Sequence, residues 1–333
     1  MALVLPPRGE SGCSSKVRAA HLLSILNLPE SDQLSALSGD SGVLSASSRL
    51  VSSIDTISPM TRDAEIFGRI AVAHAFNDLH ACAAKPTDAC VSFGLDPASI
   101  ESGDGAALIR SVKSVLDRGK VRLCKAHTYM SQATQVTLSV VGVQNHPLRR
   151  MRKGGEYALV LSKPLGAATA SHYSWLSENK TIVASSGNIM LADHSSLVGQ
   201  IERLCFSGTT DISGFGLLGH VAILAHAQKC EVALNFSALP FIEGLEELVA
   251  TFPINCAAER NEEDFDDLCE WQWEASSEDR RKLYNAETSG PLLCIVDKGS
   301  TDSFLAILRK KGFLHSEKIG TVKRSFTPIV RVV

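Results

Sequence analysis

Hydrophobic and polar residues recur along this chain with spacings that are typical of helices in some stretches and of strands in others. The longest helical pattern covers residues 63–84, and Asp78 lies near its end, away from the apolar face. Five apolar residues mark that face: Ile66, Ile70, Ala73, Phe76 and Leu79. Further helices are predicted after residue 16, over 103–119, from about Leu217 to 229, and over 300–312 with Gly312 as C-cap.

Short apolar runs bounded by turn residues predict the strands. Two short strands follow one another before Asp55, where the second ends. Others are expected at residues 88–95, 134–143, 156–166 and 288–297. Helices and strands are mixed in both halves, and no internal repeat is visible. The pattern therefore predicts an α/β or α+β protein of two domains, preceded by a mobile Pro-, Gly- and Ser-rich arm.

Composition narrows the class of protein. The 333 residues are 44% hydrophobic and 21% charged, and the formal net charge of −3 argues against broad nucleic-acid binding. Nine cysteines occur without a C-x-x-C pair, which is typical of reduced thiols in a cytosolic protein. We expect no signal peptide and no membrane partner, because no apolar run reaches the roughly 18 residues that span a bilayer.

Four aspartates stand beside small residues at predicted strand or helix ends: Asp40, Asp55, Asp78 and Asp211. Taken singly, each is more simply explained as a turn or N-cap residue. Together they could hold Mg²⁺ against a polyphosphate, because Mg²⁺ binds one or two carboxylates along with substrate phosphates.

Glycines shape the stretch TTDISGFGLLGH, residues 209–220. Gly214 and Gly216 could let the backbone approach a phosphate, or could allow close helix packing, and the sequence favours neither. In the arm, Cys13 lies three residues before Lys16, which could lower the thiol pKa or neutralise phosphate charge. An incidental cysteine in a solvated arm is the alternative.

Five motifs occur in order along the chain: SGCSSK, IFGRIAVAHAFNDLHACAAKP, LVLSKPLG, TTDISGFGLLGH and ETSGPLL. Together they resemble the selenophosphate synthetases (selenide, water dikinases), of the aminoimidazole ribonucleotide synthetase-like superfamily. The resemblance implies a two-domain α/β subunit, usually dimeric. It implies a flexible catalytic arm over residues 1–16, an ATP-binding and dimerisation domain over 17–147, and a C-terminal α/β domain over 154–333.

The resemblance also assigns roles. It implies that Cys13 and Lys16 are catalytic. Residues implied to bind ATP are Lys16, Asp55, Asp78, Thr128 and Gly214, and those implied to bind Mg²⁺ are Asp40, Asp78 and Asp211. The implied reaction converts ATP, selenide and water into selenophosphate, AMP and orthophosphate in the cytoplasm, for selenoprotein or selenium-modified tRNA synthesis.

Some positions depart from the family pattern. His74 stands where asparagine is usual, and glycines are replaced by Ala83, Ala84, Lys125, Ala126 and Pro291. An L-residue is strained where the backbone needs a positive φ. Two alternatives therefore stay open: an ATP-dependent kinase or synthetase of the same fold with another acceptor, and a non-catalytic nucleotide-binding paralogue that regulates an active synthetase.

Overall fold

The computed structural model describes residues 42–43, 49–177, 180–251 and 256–333. The predicted arm and the helix expected after residue 16 lie outside the described residues. Two β-sheets organise the rest, and the first is built from residues within 42–144, the second from residues within 157–332. The mixed α/β class is confirmed, whereas the domain boundaries at residues 147 and 154 stay predictions.

The first sheet has five strands in the order β1-β2-β5-β3-β4. Its strands are β1 (Gly42–Val43), β2 (Leu50–Ile57), β3 (Ala84–Leu95), β4 (Arg122–Met130) and β5 (Gln135–Gln144). Neighbours are antiparallel except β3 and β4, which are parallel. Strand β4 at the edge was not predicted, because almost all of its side chains are exposed and it lacks an apolar alternation.

Three helices follow the strands of this sheet: α1 (Ala64–Ala81), α2 (Pro97–Ser102) and α3 (Asp104–Arg118). Asp63 begins α1, because its carboxylate accepts the backbone N–H groups of Glu65 and Ile66 at 2.9 Å. Helices α1 and α3 approach closely at Gly68, where an added Cβ would lie 2.9 Å from the Cβ of Ser111. The two helices predicted here are confirmed.

The second sheet has seven strands in the order β7-β10-β6-β11-β8-β12-β9. Its strands are β6 (Tyr157–Leu161), β7 (Thr210–Asp211), β8 (Cys230–Leu234), β9 (Cys269–Trp271), β10 (Leu292–Asp297), β11 (Glu317–Arg324) and β12 (Ile329–Val332). Strands β10 and β6, second and third in this order, pair antiparallel. Both are covered on two faces: Leu159 and Ile295 join one hydrophobic cluster, while Val160 and Cys294 join another. This explains their unbroken apolar runs.

The described residues after β6 form eight α-helices: α4 (Ala167–Ser177), α5 (Lys180–Leu191), α6 (Val198–Leu204), α7 (Gly216–Gln228), α8 (Leu245–Thr251), α9 (Cys256–Phe265), α10 (Ser277–Tyr284) and α11 (Thr301–Lys310). Helix α7 packs on one face of the second sheet, and α6 and α11 pack on the other. The helices predicted from Leu217 and over 300–312 are confirmed as α7 and α11. In the described part of the chain, no helix is both long and apolar enough to cross a membrane.

Helix α1 joins the two halves of the molecule. The sequence predicted one buried face, but buried residues such as Phe67, Ala71 and His74 extend around the helix. The reason is that α1 packs on the first sheet and also contacts β7 and β10 of the second. The helix that carries Asp78 is therefore held between the two sheets.

Candidate functional site

The structure places three of the predicted carboxylates on elements that meet at α1. Asp55 lies on β2, Asp78 on α1 and Asp211 on β7. The predicted Cys13, Lys16 and Asp40 lie outside the described residues.

Asp78 is tied to the first sheet through Ser53, whose hydroxyl donates a hydrogen bond to Oδ2 of Asp78. Ser53 and Asp55 are two residues apart on β2, so they point to the same side of the strand. Carboxylates from a strand and a helix thus share one side of the sheet. Their oxygens are the kind of ligand that Mg²⁺ prefers.

His74 connects the first half of the chain to the second. Its Nε2 lies 3.7 Å from Oδ1 of Asp55, and its Nδ1 accepts the backbone N–H of Ser289 at 3.0 Å. The histidine that replaces the usual asparagine is therefore part of the site. It is 1% exposed, so both contacts are shielded from water.

Ser289 occupies a strained backbone position, with a φ of +48°. Its three polar groups all form hydrogen bonds: the N–H to His74, the hydroxyl to the Met190 carbonyl at 2.6 Å, and the carbonyl from Nζ of Lys163 at 3.0 Å. Left-handed non-glycine residues persist where surrounding contacts hold them, and they are common at functional sites.

Lys163 is a buried cation in the loop that follows β6. Burial lowers the pKa of its ammonium from 10.5 to about 7, and the nearby carboxylates of Asp193, Asp211 and Glu287 oppose that change. A chain of interactions thus runs from Asp55 through His74, Ser289 and Lys163 towards Asp211.

Glu287 is the buried acid beside this chain. Its carboxylate accepts the backbone N–H groups of Gly166 at 2.5 Å and Ala168 at 3.2 Å. Burial nevertheless raises the pKa of Glu287 to about 7. A lysine and a glutamate that both titrate near neutrality make this region responsive to charge brought by a ligand.

A second buried network braces α1 against the second sheet. Nδ1 of His194 lies 2.8 Å from Oδ1 of Asn77, and its Nε2 lies 2.9 Å from the hydroxyl of Ser162. The Ser162 hydroxyl in turn accepts the backbone N–H of Leu292 at 2.8 Å. Because Asn77 and Asp78 are adjacent, this network helps to fix the position of Asp78.

The glycine-rich stretch adopts a tight turn between β7 and α7. Gly216 has a φ of +68°, and an added Cβ would lie 2.7 Å from the carbonyl of Tyr284. Close packing therefore accounts for Gly216. The carbonyl of Gly214 accepts a hydrogen bond from Nδ2 of Asn261 at 3.0 Å, and its role in nucleotide binding stays a prediction.

Thr128 is not brought to the carboxylates in this chain. It lies exposed on β4, opposite Phe93 of β3, and strands β5 and β3 separate β4 from the β2 strand of Asp55. That separation is roughly 14 Å at the usual strand spacing. Its contact with nucleotide stays a prediction.

The five residues that stand in place of family glycines differ in their backbone conformation. Among the described residues, Ala83 alone of the five adopts a positive φ, at +60°. Ala84, Lys125 and Ala126 lie in strands, where glycine is not needed. The replacement therefore strains the chain only where α1 turns into β3.

Several site residues were missed by sequence reasoning about chemistry: Lys163, Glu287, Ser289, Asn77, His194 and Ser162. Lys163 lies in the KPLG motif, and Glu287 and Ser289 lie in ETSGPLL. Those motifs carried the resemblance but no assigned role. The only signal in the sequence was the presence of a lysine and a glutamate inside two motifs made otherwise of apolar and small residues.

The donor set fits Mg²⁺ only together with phosphates. Within the part of the chain that the structure covers, no three His, Cys, Asp or Glu side chains are grouped as a metal site. One or two carboxylates, however, are the usual protein contribution to a Mg²⁺ site on a nucleotide. Asp78 and Asp211 could provide these two carboxylates.

Comparison with known proteins agrees with the fold. The N-terminal domain of the AIR synthase related protein family matches residues 38–144, and its C-terminal domain matches residues 206–333. The thiamine monophosphate kinase of Aquifex aeolicus superposes with a TM-score of 0.67 at 18% identity, covering 94% of this chain and 96% of that chain. The similarity shows a shared fold.

Two similar sequences are selenide, water dikinases. The protein of Geobacter metallireducens is 30% identical over 271 residues, covering 79% of this chain and 77% of its own length. The protein of Porphyromonas gingivalis is 28% identical and covers 90% of this chain and 89% of its own length. The chain therefore belongs to the AIR synthase related family, and within it to the selenide, water dikinase family.

Proposed function

We propose that this protein synthesises selenophosphate from ATP, selenide and water, releasing AMP and orthophosphate. The observation that carries the proposal is the series of contacts from Asp55 through His74 and Ser289 to Lys163, in a chain whose relatives are selenide, water dikinases. This series of contacts brings together charged and polar side chains that are suited to binding a polyphosphate. The product would serve selenoprotein or selenium-modified tRNA synthesis.

Acidic and basic residues would have different roles in this reaction. Asp78 and Asp211, with Asp40, would hold Mg²⁺, whose charge stabilises the triphosphate during phosphoryl transfer. Asp55 and Lys16 would orient the nucleotide, with Thr128 and Gly214 as further contacts. Cys13 would carry or shelter the selenium nucleophile. Lys163 would respond to a bound phosphate, because nearby negative charge raises the pKa of an ammonium.

Anaerobic phosphorus NMR with ATP, Mg²⁺ and selenide tests the reaction. We expect selenide-dependent selenophosphate and AMP, and loss of both in Cys13→Ser, while nucleotide binding by that variant persists. Hydrolysis of ATP that is indifferent to selenide would instead support a kinase of this fold with another acceptor. Intact ATP, with nucleotide bound, would support a non-catalytic paralogue.

We also propose that the protein is a homodimer that pairs through the outer face of the first sheet. Ile54, Tyr129 and Val143 lie on the face opposite the helices and are 68%, 41% and 37% exposed. Exposed apolar side chains on one sheet face are typical of an interface. Light scattering should give a dimer for the wild type and a monomer for Ile54→Lys; a dimeric variant would contradict this surface.

A further inference from the structure

A cavity of about 500 Å³ lies on the side of α1 away from the carboxylates. Arg69, Ala73, Phe76 and His80 of α1 line it, at helical spacings that place them along one stripe. Asp78 projects roughly from the opposite side of the same helix. The cavity therefore lies across α1 from Asp78, although the charge of Asp193 in its lining also acts on Lys163 of the candidate site.

The residues that line the cavity include both basic and apolar side chains. Arg69, Lys85 of β3 and Arg118 of α3 contribute cations, against the carboxylate of Asp193. Phe76 and Val198 are among the apolar residues of the lining. Cations and apolar side chains in one cavity suit a ligand that has both an anionic group and an apolar body.

His80 provides a second, independent sign of a ligand. It is fully buried in the lining of the cavity, and neither ring nitrogen has a hydrogen-bond partner among the described residues. The nearest charged atom is Oδ1 of Asp193, 3.8 Å from Nδ1. Burial lowers the pKa of His80 to about 4, so its ring is neutral at pH 7.

A neutral imidazole carries one N–H donor and one acceptor nitrogen. Leaving such groups buried without partners destabilises the folded chain, because their hydrogen bonds to water are lost and not replaced. A polar atom of a bound molecule would satisfy one of them. The buried ring thus complements the arginines and the lysine, which can hold the anionic part of the same molecule.

We propose that this cavity binds a small organic phosphate, whose anionic group lies among Arg69, Lys85 and Arg118 and whose apolar body packs on Phe76 beside His80. This binding site goes beyond the proposed synthetase activity and does not depend on it. The volume is within the range of about 300–1,000 Å³ that is usual for small-molecule sites.

Calorimetric titration of the full-length protein with phenyl phosphate tests the proposal. Arg69→Ala and Arg118→Ala should each weaken binding about tenfold, because each removes a charge-assisted hydrogen bond. Arg110→Ala, the same residue type on α3 outside the cavity, should leave affinity unchanged. Inorganic phosphate should bind more weakly, because it lacks the apolar body.

Two further variants separate this cavity from the candidate site. Asp78→Asn should leave phenyl phosphate binding unchanged, whereas His80→Phe should weaken it and remove a ring signal that shifts on binding in ¹H–¹⁵N NMR. The proposal is overturned if phenyl phosphate does not bind, or if binding is insensitive to Arg69→Ala and Arg118→Ala. Binding that is lost only in Asp78→Asn would assign the ligand to the candidate site instead.

Discussion

Nδ1 of His74 accepts the backbone N–H of Ser289 at 3.0 Å, a bond between residues 215 positions apart in the chain. It attaches α1 to the segment that leads into β10. The same imidazole lies 3.7 Å from Asp55. The His74 side chain therefore fixes the distance between Asp55, which is predicted to bind nucleotide, and the strained Ser289 in the other domain.

Replacing His74 should disturb both stability and activity. His74→Leu leaves the buried N–H of Ser289 without its acceptor, which should lower the free energy of unfolding by about 1–3 kcal/mol. Selenophosphate formation should fall at temperatures where the variant remains folded. Urea unfolding and phosphorus NMR measure the two effects, with the exposed His315→Leu as control. Unchanged stability would show that the bond contributes nothing.

Replacing Asp78 should affect turnover without unfolding the protein. Asp78→Asn keeps the volume and an oxygen that can accept from Ser53, but it removes the charge. Turnover should fall about 100-fold or more, because metal binding contributes several kcal/mol to transition-state stabilisation. Rates measured against Mg²⁺ concentration test this. Asp117→Asn on the surface of α3 should behave as wild type.

The burial of Glu287 predicts that the stability of the protein depends on pH. Burial raises the pKa of Glu287 from 4.5 to about 7, so the folded protein binds this proton more tightly than the unfolded chain. Its contribution is complete below about pH 4.5 and is lost as the pH rises through 7. Relative to Glu287→Gln, the wild type should lose on the order of 3 kcal/mol across this window.

Denaturant unfolding between pH 4.5 and 7 measures that difference. Lys163 acts in the opposite sense at higher pH, because its folded pKa of about 7 lies below its ordinary value of 10.5. Stability therefore rises above pH 7, where the folded chain has released that proton and the unfolded chain still binds it. The comparison is therefore made below pH 7. Glu243→Gln, on the surface, should follow the wild type. Parallel curves for the wild type and Glu287→Gln would contradict the prediction.

A helix end offers a stabilising substitution. Lys229 ends α7 with a φ of +50° and is exposed, so Lys229→Gly should relieve left-handed strain. The protein should be stabilised by up to about 1 kcal/mol, because the strain relieved exceeds the entropy cost of glycine. Lys311 ends α11 at a φ of −87°, and Lys311→Gly should not stabilise. Thermal unfolding distinguishes them; equal effects would show that φ is not the cause.

The sequence predicted the elements with the clearest apolar runs and helical spacing, but it missed several that also face the core, among them β8, β11 and β12. The apolar runs of β6 and β10 and the spacing of α1 follow from burial. Strand β4 was missed because its pairing with β3 buries little side chain. Pairing partners distant in sequence leave no local pattern to read.

The candidate site was only partly predictable for a similar reason. Aspartates beside small residues suggested metal binding, since the residue type carries the chemistry. The importance of Lys163 and Glu287 arises from burial and from neighbours more than a hundred positions away, which composition and periodicity do not record.

Strands β6 and β10, covered on both faces, set how firmly the candidate site is held. Amides in such strands exchange with deuterium only when the whole domain unfolds. Lys163 follows the end of β6 by two residues, and Ser289 precedes β10 by three. The relative position of Lys163 and Ser289 should therefore persist through local unfolding events elsewhere in the protein. The lysine and the serine carbonyl are thus already arranged in the protein without substrate.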